Sequence, residues 1–285
     1  MADVDPNFTA PAIQYPLAHR GGRAANRARR GMAKHFGKHD VIAANRAYYG
    51  ATVTMFDQLN GPRKETRRWL MEKLRDAIDT ERPPERILDI GTGTGFALET
   101  VATLVDPREA SLIGCDVSAP MLEFASRRIP DAALIPYDGF VLPFDKGTFD
   151  LVLIVSVLHH TRDPFPLLAE AARVLSPGGR IIVLQEPNPT INGIVRRLRN
   201  ILPLTRNNVM AVAEFHQMIT DGIEPSEVVS CLEAQGLSAR VEFNNAALLD
   251  AIGVRLGRRA VRWLAPLMRL RSRWSCLSYS IAAQG

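Results

Sequence analysis

From residue 86 the chain alternates short apolar runs with segments whose apolar residues recur every three to four positions. The runs 86–90, 111–116, 132–136, 148–155 and 180–185 read as strands. Between them, 94–105 and 118–129 are predicted helices, the second with Ser118 as N-cap and Pro120 in its first turn. Asp163 caps a third helix that carries apolar residues at 167, 168, 171, 172, 174 and 175, and Pro177-Gly178-Gly179 stops it. Strands apolar on both faces and separated by helices predict a parallel sheet covered on each side, because parallel strands need crossover connections.

Outside this block the pattern is less regular. After Glu186, prolines 187 and 189 interrupt, and helical segments are predicted near 190–200 and 209–219. A regular unit returns with a helix at 224–235, ended by Gly236, and a strand at 237–243. A long helical stretch at 246–272 precedes a closing β-type run, 275–282. On the N-terminal side, a helix beginning at Pro62 puts Leu70, Leu74, Ala77 and Ile78 on one face. Tyr48-Tyr49 and Met55-Phe56 lie in an earlier helical segment. Core packing is the expected role of these aromatics, and closing over a ligand is the alternative.

Composition adds a cytoplasmic expectation. No apolar run approaches the ~20 residues that span a bilayer, and the first residues lack the basic-then-apolar order of a signal peptide. Cys115, Cys231 and Cys276 are far apart, form no CxxC, and read as buried thiols. The net charge of +5 is unevenly spread: Lys/Arg against Asp/Glu run 14 to 6 over residues 1–75, 9 to 17 over 76–190, and 12 to 7 over 191–285. An acidic centre with basic flanks fits a catalytic unit with additions that meet an anionic surface or substrate, and equally fits solvated helix faces.

The candidate chemistry begins at Asp89-Ile-Gly91-Thr92-Gly93-Thr-Gly95, where a strand ends in a glycine-rich turn that opens a helix. Such a turn exposes backbone N–H groups and lets a ligand approach closely. A dinucleotide loop needs a glycine where Phe96 stands, and a P-loop needs Lys-Ser/Thr where Phe96-Ala97 follows. Asp89 would repel a phosphate and welcome a cation. The stretch resembles the first motif of the class I S-adenosylmethionine-dependent methyltransferases, in the small-molecule branch typified by ubiquinone and menaquinone biosynthesis methyltransferases.

Three further signals follow the family's order: Cys115-Asp116-Val117, Tyr137-Asp138-Gly139 with Leu142-Pro143-Phe144, and Pro177-Gly178-Gly179. The resemblance implies that Asp116 grips the ribose diol, Met121 packs on the adenine, and Asp138 reads the adenine amino group. Gly91, Thr92, Gly93, Gly95, Val117, Gly139, Val155 and Ser156 complete the expected cofactor site. The cofactor implied is S-adenosyl-L-methionine, with S-adenosyl-L-homocysteine as product. The fold implied is α/β: a Rossmann-like seven-stranded sheet of order 3-2-1-4-5-7-6, strand 7 antiparallel, flanked by helices and carrying a helical substrate cover. Residues 1–82 would form an N-terminal basic helical cap, and 83–285 the cofactor-binding domain with lid insertions at 187–223 and 246–273.

Ligands of open α/β sheets sit beyond the carboxyl ends of the strands, which brings Ser156-Val-Leu-His159-His160 and Glu186-Pro-Asn188 to the methyl group. His159 is the candidate base, with Glu186 orienting it or acting in its place. His160 is expected to bond locally with Thr161 or Asp163. Absent motifs narrow the acceptor: no Asn/Asp-Pro-Pro-Tyr/Phe follows strand 4, no cysteine sits in Pro-Cys, and Val155-Ser156 stands where a catechol-type magnesium site needs an acid. The expectation is a metal-independent enzyme methylating O, or else C or N, of a hydrophobic small molecule. Two alternatives stay open: a tRNA or rRNA methyltransferase using the arginine-rich flanks 20–38 and 255–273, and a non-catalytic scaffold.

Treated as a helix, 254–274 gathers Arg255, Arg258, Arg259, Arg262, Arg269 and Arg273 on an arc about 100° wide, opposite Leu256, Trp263 and Leu267. Such a stripe serves either as a lid with its arginines in water, the preferred reading, or as a peripheral membrane contact on anionic lipid. Nucleic acid is not an expected partner, and a homodimer is left open.

Overall fold

A computed structural model of the chain describes residues 36–60, 64–78, 82–106, 108–192, 222–245 and 278–285. The helical segments expected near 190–200, 209–219 and 246–272, with the basic arc 254–274 and Cys276, lie outside them. Two helices, α1 (Lys38–Asn60) and α2 (Lys64–Ala77), precede β1 (Arg86–Ile90). The chain then runs α3 (Phe96–Ala102), β2 (Ser111–Asp116), α4 (Ala119–Arg128), β3 (Ala133–Pro136), β4 (Phe149–Val155), a 3-10 turn (Leu158–His160), α5 (Phe165–Val174) and β5 (Leu175–Pro187). Finally come α6 (Pro225–Glu233), β6 (Ser238–Asn244) and β7 (Ser278–Gln284).

The strands form one sheet of order β3-β2-β1-β4-β5-β7-β6. β1 to β5 pair in parallel, and β7 runs antiparallel to both β5 and β6. Because both faces are covered, the central strands are apolar on both. Leu88, Val152, Ile154, Ile181 and Val183 pack under Leu168 and Ala171 of α5 and Val228 and Leu232 of α6. On the other face, Ile87, Leu151, Leu153 and Ile182 meet Leu98 and Val101 of α3 and Trp69, Leu70 and Leu74 of α2. Each such aliphatic side chain, fully buried, is worth about 1.5–3 kcal/mol.

Several expected boundaries move, each for a local reason. The stripe Leu70, Leu74, Ala77 and Ile78 is buried as its spacing predicts, but against the sheet. α2 therefore packs into the sheet's own core. α5 ends at Val174, ahead of Pro177-Gly178-Gly179, and β5 starts at Leu175 instead of 180. Ser176 precedes a proline and is pushed out of the helical region, so the chain is extended before the glycines. α3 starts at Phe96 because Gly95, at φ 81°, takes the N-cap. The closing strand runs over Ser278–Gln284, a little later than the expected 275–282. Cys115 is buried, but Cys231 is only partly so.

One polar cluster ties the loop between β3 and β4 to α5. Arg173 pairs with both oxygens of Glu170, Nε to Oε1 at 2.7 Å and Nη2 to Oε2 at 2.8 Å, and also donates to the carbonyls of Phe144 and Leu142. Glu170 in turn accepts from Leu142 N–H at 2.9 Å. Arg173→Ala removes these bonds and leaves two carbonyls to find water. Denaturant unfolding is expected to show a loss of about 1–2 kcal/mol; an unchanged midpoint would mean that the loop is held by its apolar contacts alone.

Candidate active site

A cavity of about 770 Å³ opens beyond the carboxyl ends of β1, β2, β4 and β5, a size within the usual range for small-ligand sites. The turn after β1 forms its floor. Gly91, Gly93 and Gly95 all have left-handed backbone, with φ of 70°, 54° and 81°. At Gly91 the need is also steric, since a Cβ there would stand 2.6 Å from Val157 Cγ2. At Gly95 it would meet Ile129 Cδ1 at 2.7 Å, so this glycine sets how closely α3 approaches the end of α4.

Two carboxylates flank the turn. Asp116 accepts from Gly93 N–H at 2.9 Å and from Ser118 N–H at 2.8 Å, one on each oxygen. Each oxygen keeps a lone pair for a ligand hydroxyl, as a diol grip requires. Burial raises the Asp116 carboxyl above its usual range, against these backbone bonds. Asp89 is 1% exposed and accepts from Thr92 Oγ1 at 2.8 Å. Burial lifts it to about 7, Thr92 opposes the rise, and the charge of Asp116 adds to it. A cation beside these acids relieves both, so the pair suits a ligand carrying positive charge on one part and a diol on another.

Val117, Met121 and Gly139 line the cavity as expected, with Tyr137 and Phe140 beside them. Asp138 does not. Its carboxylate is exposed and turned into its own loop, where Oδ1 accepts from Phe140 N–H and Val141 N–H at 2.7 and 3.1 Å. Those bonds hold it below the ordinary aspartate range. Ser118 takes the N-cap position of α4 but makes no capping bond. Its hydroxyl is buried on the cavity wall with no hydrogen-bond partner, and a buried polar atom of this kind calls for a ligand atom.

Sequence reasoning missed the fourth wall. Ile42, Asn45 and Tyr49 of α1 line the cavity, and α1 is fastened across it by polar bonds. Arg46 donates to Val117 O at 3.0 Å, Asn45 to His160 O at 2.9 Å, and Asp57 pairs with Arg128 at 2.6 Å. Tyr49 therefore faces the cavity, and its hydroxyl meets the His160 ring at 3.2 Å. The helix is legible from its periodicity, whereas its docking depends on side-chain-to-carbonyl bonds that no spacing announces.

The remaining wall comes from the ends of β4 and β5. Val155, Ser156 and Val157 line it, and His159, 7% exposed, stands beside them. Ser156 has φ 57°, which turns the chain so that three successive N–H groups point at Glu186. Val157 and Leu158 donate to Oε1 at 2.8 and 2.9 Å, and His159 N–H donates to Oε2 at 3.1 Å. The His159 Nδ1 to Glu186 Oε2 distance is 2.9 Å. Burial alone would raise the Glu186 carboxyl, but the His159 ring and the two N–H groups on Oε1 outweigh it and keep it below its usual range. An ionised Glu186 makes Nδ1 the donor, and the basic lone pair of the neutral ring is then on Nε2. Glu186 itself is fully buried and does not line the cavity. Its carboxylate is placed to orient the His159 ring.

Glu186 reaches this position through a bulge. The register steps from Val183↔Ile281 to Glu186↔Tyr279, so Leu184 and Gln185 together oppose Ser280. Gln185 has φ 60°, and strain at a non-glycine residue of this kind costs about 1–3 kcal/mol.

Binding of a cation at Asp89 is coupled to a proton, because the ligand favours the carboxylate and lowers its pKa. Affinity for S-adenosyl-L-methionine is therefore expected to be level above pH about 7 and to fall below it, by up to about tenfold per pH unit. Calorimetric titrations near pH 7, in buffers of different protonation enthalpy, should show net proton release that Asp89→Asn abolishes. Equal heats in every buffer would remove the coupling.

The comparisons with known proteins agree with this geometry. A model of the methyltransferase domain family matches residues 88–183. A demethylmenaquinone methyltransferase from Thermus thermophilus is 32% identical over 185 residues, covering 59% of this chain and 82% of that protein. A ubiquinone/menaquinone biosynthesis C-methyltransferase from Teredinibacter turnerae is 27% identical over 205 residues, covering 66% and 82%. A solved methyltransferase from Thermotoga maritima shares the fold, with a TM-score of 0.55 at 15% identity over 84% of this chain and 98% of that one. The chain thus belongs to the class I S-adenosylmethionine-dependent methyltransferases, with S-adenosyl-L-methionine as its methyl donor.

Proposed function

We propose that the enzyme methylates a hydrophobic, hydroxylated small molecule, at the hydroxyl oxygen or at a ring carbon activated by it, with His159 as general base. The observation that carries this reading is His159 on the wall of the cavity that Asp89 and Asp116 also line, with the buried Glu186 carboxylate bonded to its ring. A phenol oxygen and a carbon beside a phenolate need the same thing, removal of the hydroxyl proton. The names of the quinone-pathway relatives fit such an acceptor.

S-adenosyl-L-methionine, when bound, supplies a methyl group on positively charged sulfur and is left as S-adenosyl-L-homocysteine. Asp116 and Met121 would hold its nucleoside end, and Asp89 with the glycine turn its charged end. α1 closes the cavity against water through Asn45 and Tyr49. His159 Nε2 takes the acceptor's proton, and the buried carboxylate of Glu186 stabilises the imidazolium that results. A proton-accepting pair of this kind has no use in a scaffold. Among the described residues no helix is long and apolar enough to cross a membrane, and 254–274 is taken as a lid.

The test is S-adenosyl-L-homocysteine formation with a panel of hydroxyarenes headed by a 2-prenyl-1,4-naphthoquinol. His159→Ala and His159→Gln should lower kcat by about 10²–10³-fold, change cofactor affinity little, and abolish the acidic limb of the rate profile. An unchanged profile would sink the base role. Glu186→Gln should lower kcat and move that limb to lower pH, since the imidazolium loses its anionic partner. For the lid, flotation with anionic liposomes at moderate salt should leave the protein unbound; recovery in the lipid layer would make the arginine arc a membrane contact.

A further inference from the structure

The bulge in β5 does two things at once. With unbroken alternation, residue 185 would share the face of Ile181 and Val183, and residue 186 that of Ile182 and Leu184. The extra residue reverses this order. Glu186 joins the face of its β7 partner Tyr279, beneath His159, and Gln185 arrives on the cavity wall. Placing Glu186 explains the bulge but does not explain a glutamine at its left-handed position, where glycine carries no strain.

The side chain supplies the missing reason. Among the described residues, Gln185 Nε2 is buried and meets no hydrogen-bond acceptor, although the residue's backbone is fully engaged. Its N–H donates to Ser280 Oγ at 3.3 Å, and its carbonyl accepts from Ser156 Oγ at 3.3 Å. Among the described residues Ser156 is the other non-glycine one with positive φ, so the two stand bonded together at the ends of β4 and β5. Conformational strain and an unmet donor on one residue at a ligand cavity are what a group made for a ligand shows. The cofactor is held two and three strands away, by Asp89 at the end of β1 and Asp116 at the end of β2. His159 follows β4, between these groups and Gln185.

We propose that Gln185 is the acceptor-reading residue of this enzyme: its carboxamide donates a hydrogen bond to an oxygen of the acceptor, a carbonyl or an ionised hydroxyl, next to the atom that receives the methyl. The assignment rests on the small-molecule reading above and deepens it. A donor with no protein partner selects a substrate bearing oxygen and gives nothing to a protonated amine. As His159 removes the hydroxyl proton, negative charge develops on the oxygen, and a fixed N–H beside it becomes a stronger partner than it was for the neutral hydroxyl.

The test separates side chain from backbone. Gln185→Gly keeps the left-handed conformation and deletes the carboxamide, and Gln185→Asn tolerates the same backbone while restoring a shorter amide. With the hydroxyarene that the wild-type enzyme turns over best, Gln185→Gly should lose about 10–100-fold in kcat/KM for the acceptor. Its affinity for S-adenosyl-L-homocysteine and its melting temperature should stay close to wild type, and Gln185→Asn should recover part of the loss. Wild-type kcat/KM in a folded, cofactor-binding Gln185→Gly would overturn the donor role and leave the residue only its bulge. Failure of the wild-type enzyme to turn over any member of the panel would instead overturn the small-molecule reading, and this assignment with it.

Discussion

A carboxylate with no exposed surface must be compensated in full, and around Glu186 the compensation comes from one short turn. Four N–H groups of residues 157–159 converge on its two oxygens. For that to happen, β4 must end in a left-handed residue at Ser156, and β5 must gain a residue so that position 186 points beneath the turn. Both distortions carry strain, and the ionised, fully bonded carboxylate offsets it. The same event orients His159, sets its tautomer and delivers Gln185 to the cavity. Loss of this carboxylate would leave three N–H groups and an imidazole without their acceptor.

At the other end of the cavity the balance is reversed. Burial raises both Asp89 and Asp116, the charge of Asp116 opposes ionisation of Asp89 further, and protein groups supply only part of what they need. Asp116 has two backbone N–H groups, Asp89 has one hydroxyl, and the Ser118 hydroxyl beside them has no partner. A site left short of positive charge and hydrogen bonds by the fold is completed by a cationic, hydroxylated cofactor. The contrast is with Glu186, an acid satisfied by the protein itself.

Much of this was legible in the chain. Asp89, the three alternating glycines and Asp116 announce their roles because each sits at the end of a strand whose apolar run marks it, and because a side chain at Gly91 or Gly95 has no room. The sheet order also follows from recognisable motifs. The side chains of Asp138 and Ser118 were less legible for a common reason: both are short polar groups beside backbone N–H groups, and residue type alone does not say whether such a group bonds its own turn or faces a cavity. Asp138 bonds its turn, and Ser118, expected to cap, faces the cavity.

By itself the sequence determined the alternation of strands and helices, the covered parallel sheet and the cationic character of the cofactor, because these depend on periodicity and on residues close together in the chain, and the family resemblance those residues carry implied its identity. Only the tertiary structure decided that α1 lines the site, that Glu186 lies under His159, and that Gln185 lines the cavity. Those outcomes depend on contacts between segments far apart, Asn45 with His160 and Val157 with Glu186. The last two depend also on one bulged residue that inverts the period-two pattern from which strand faces are read.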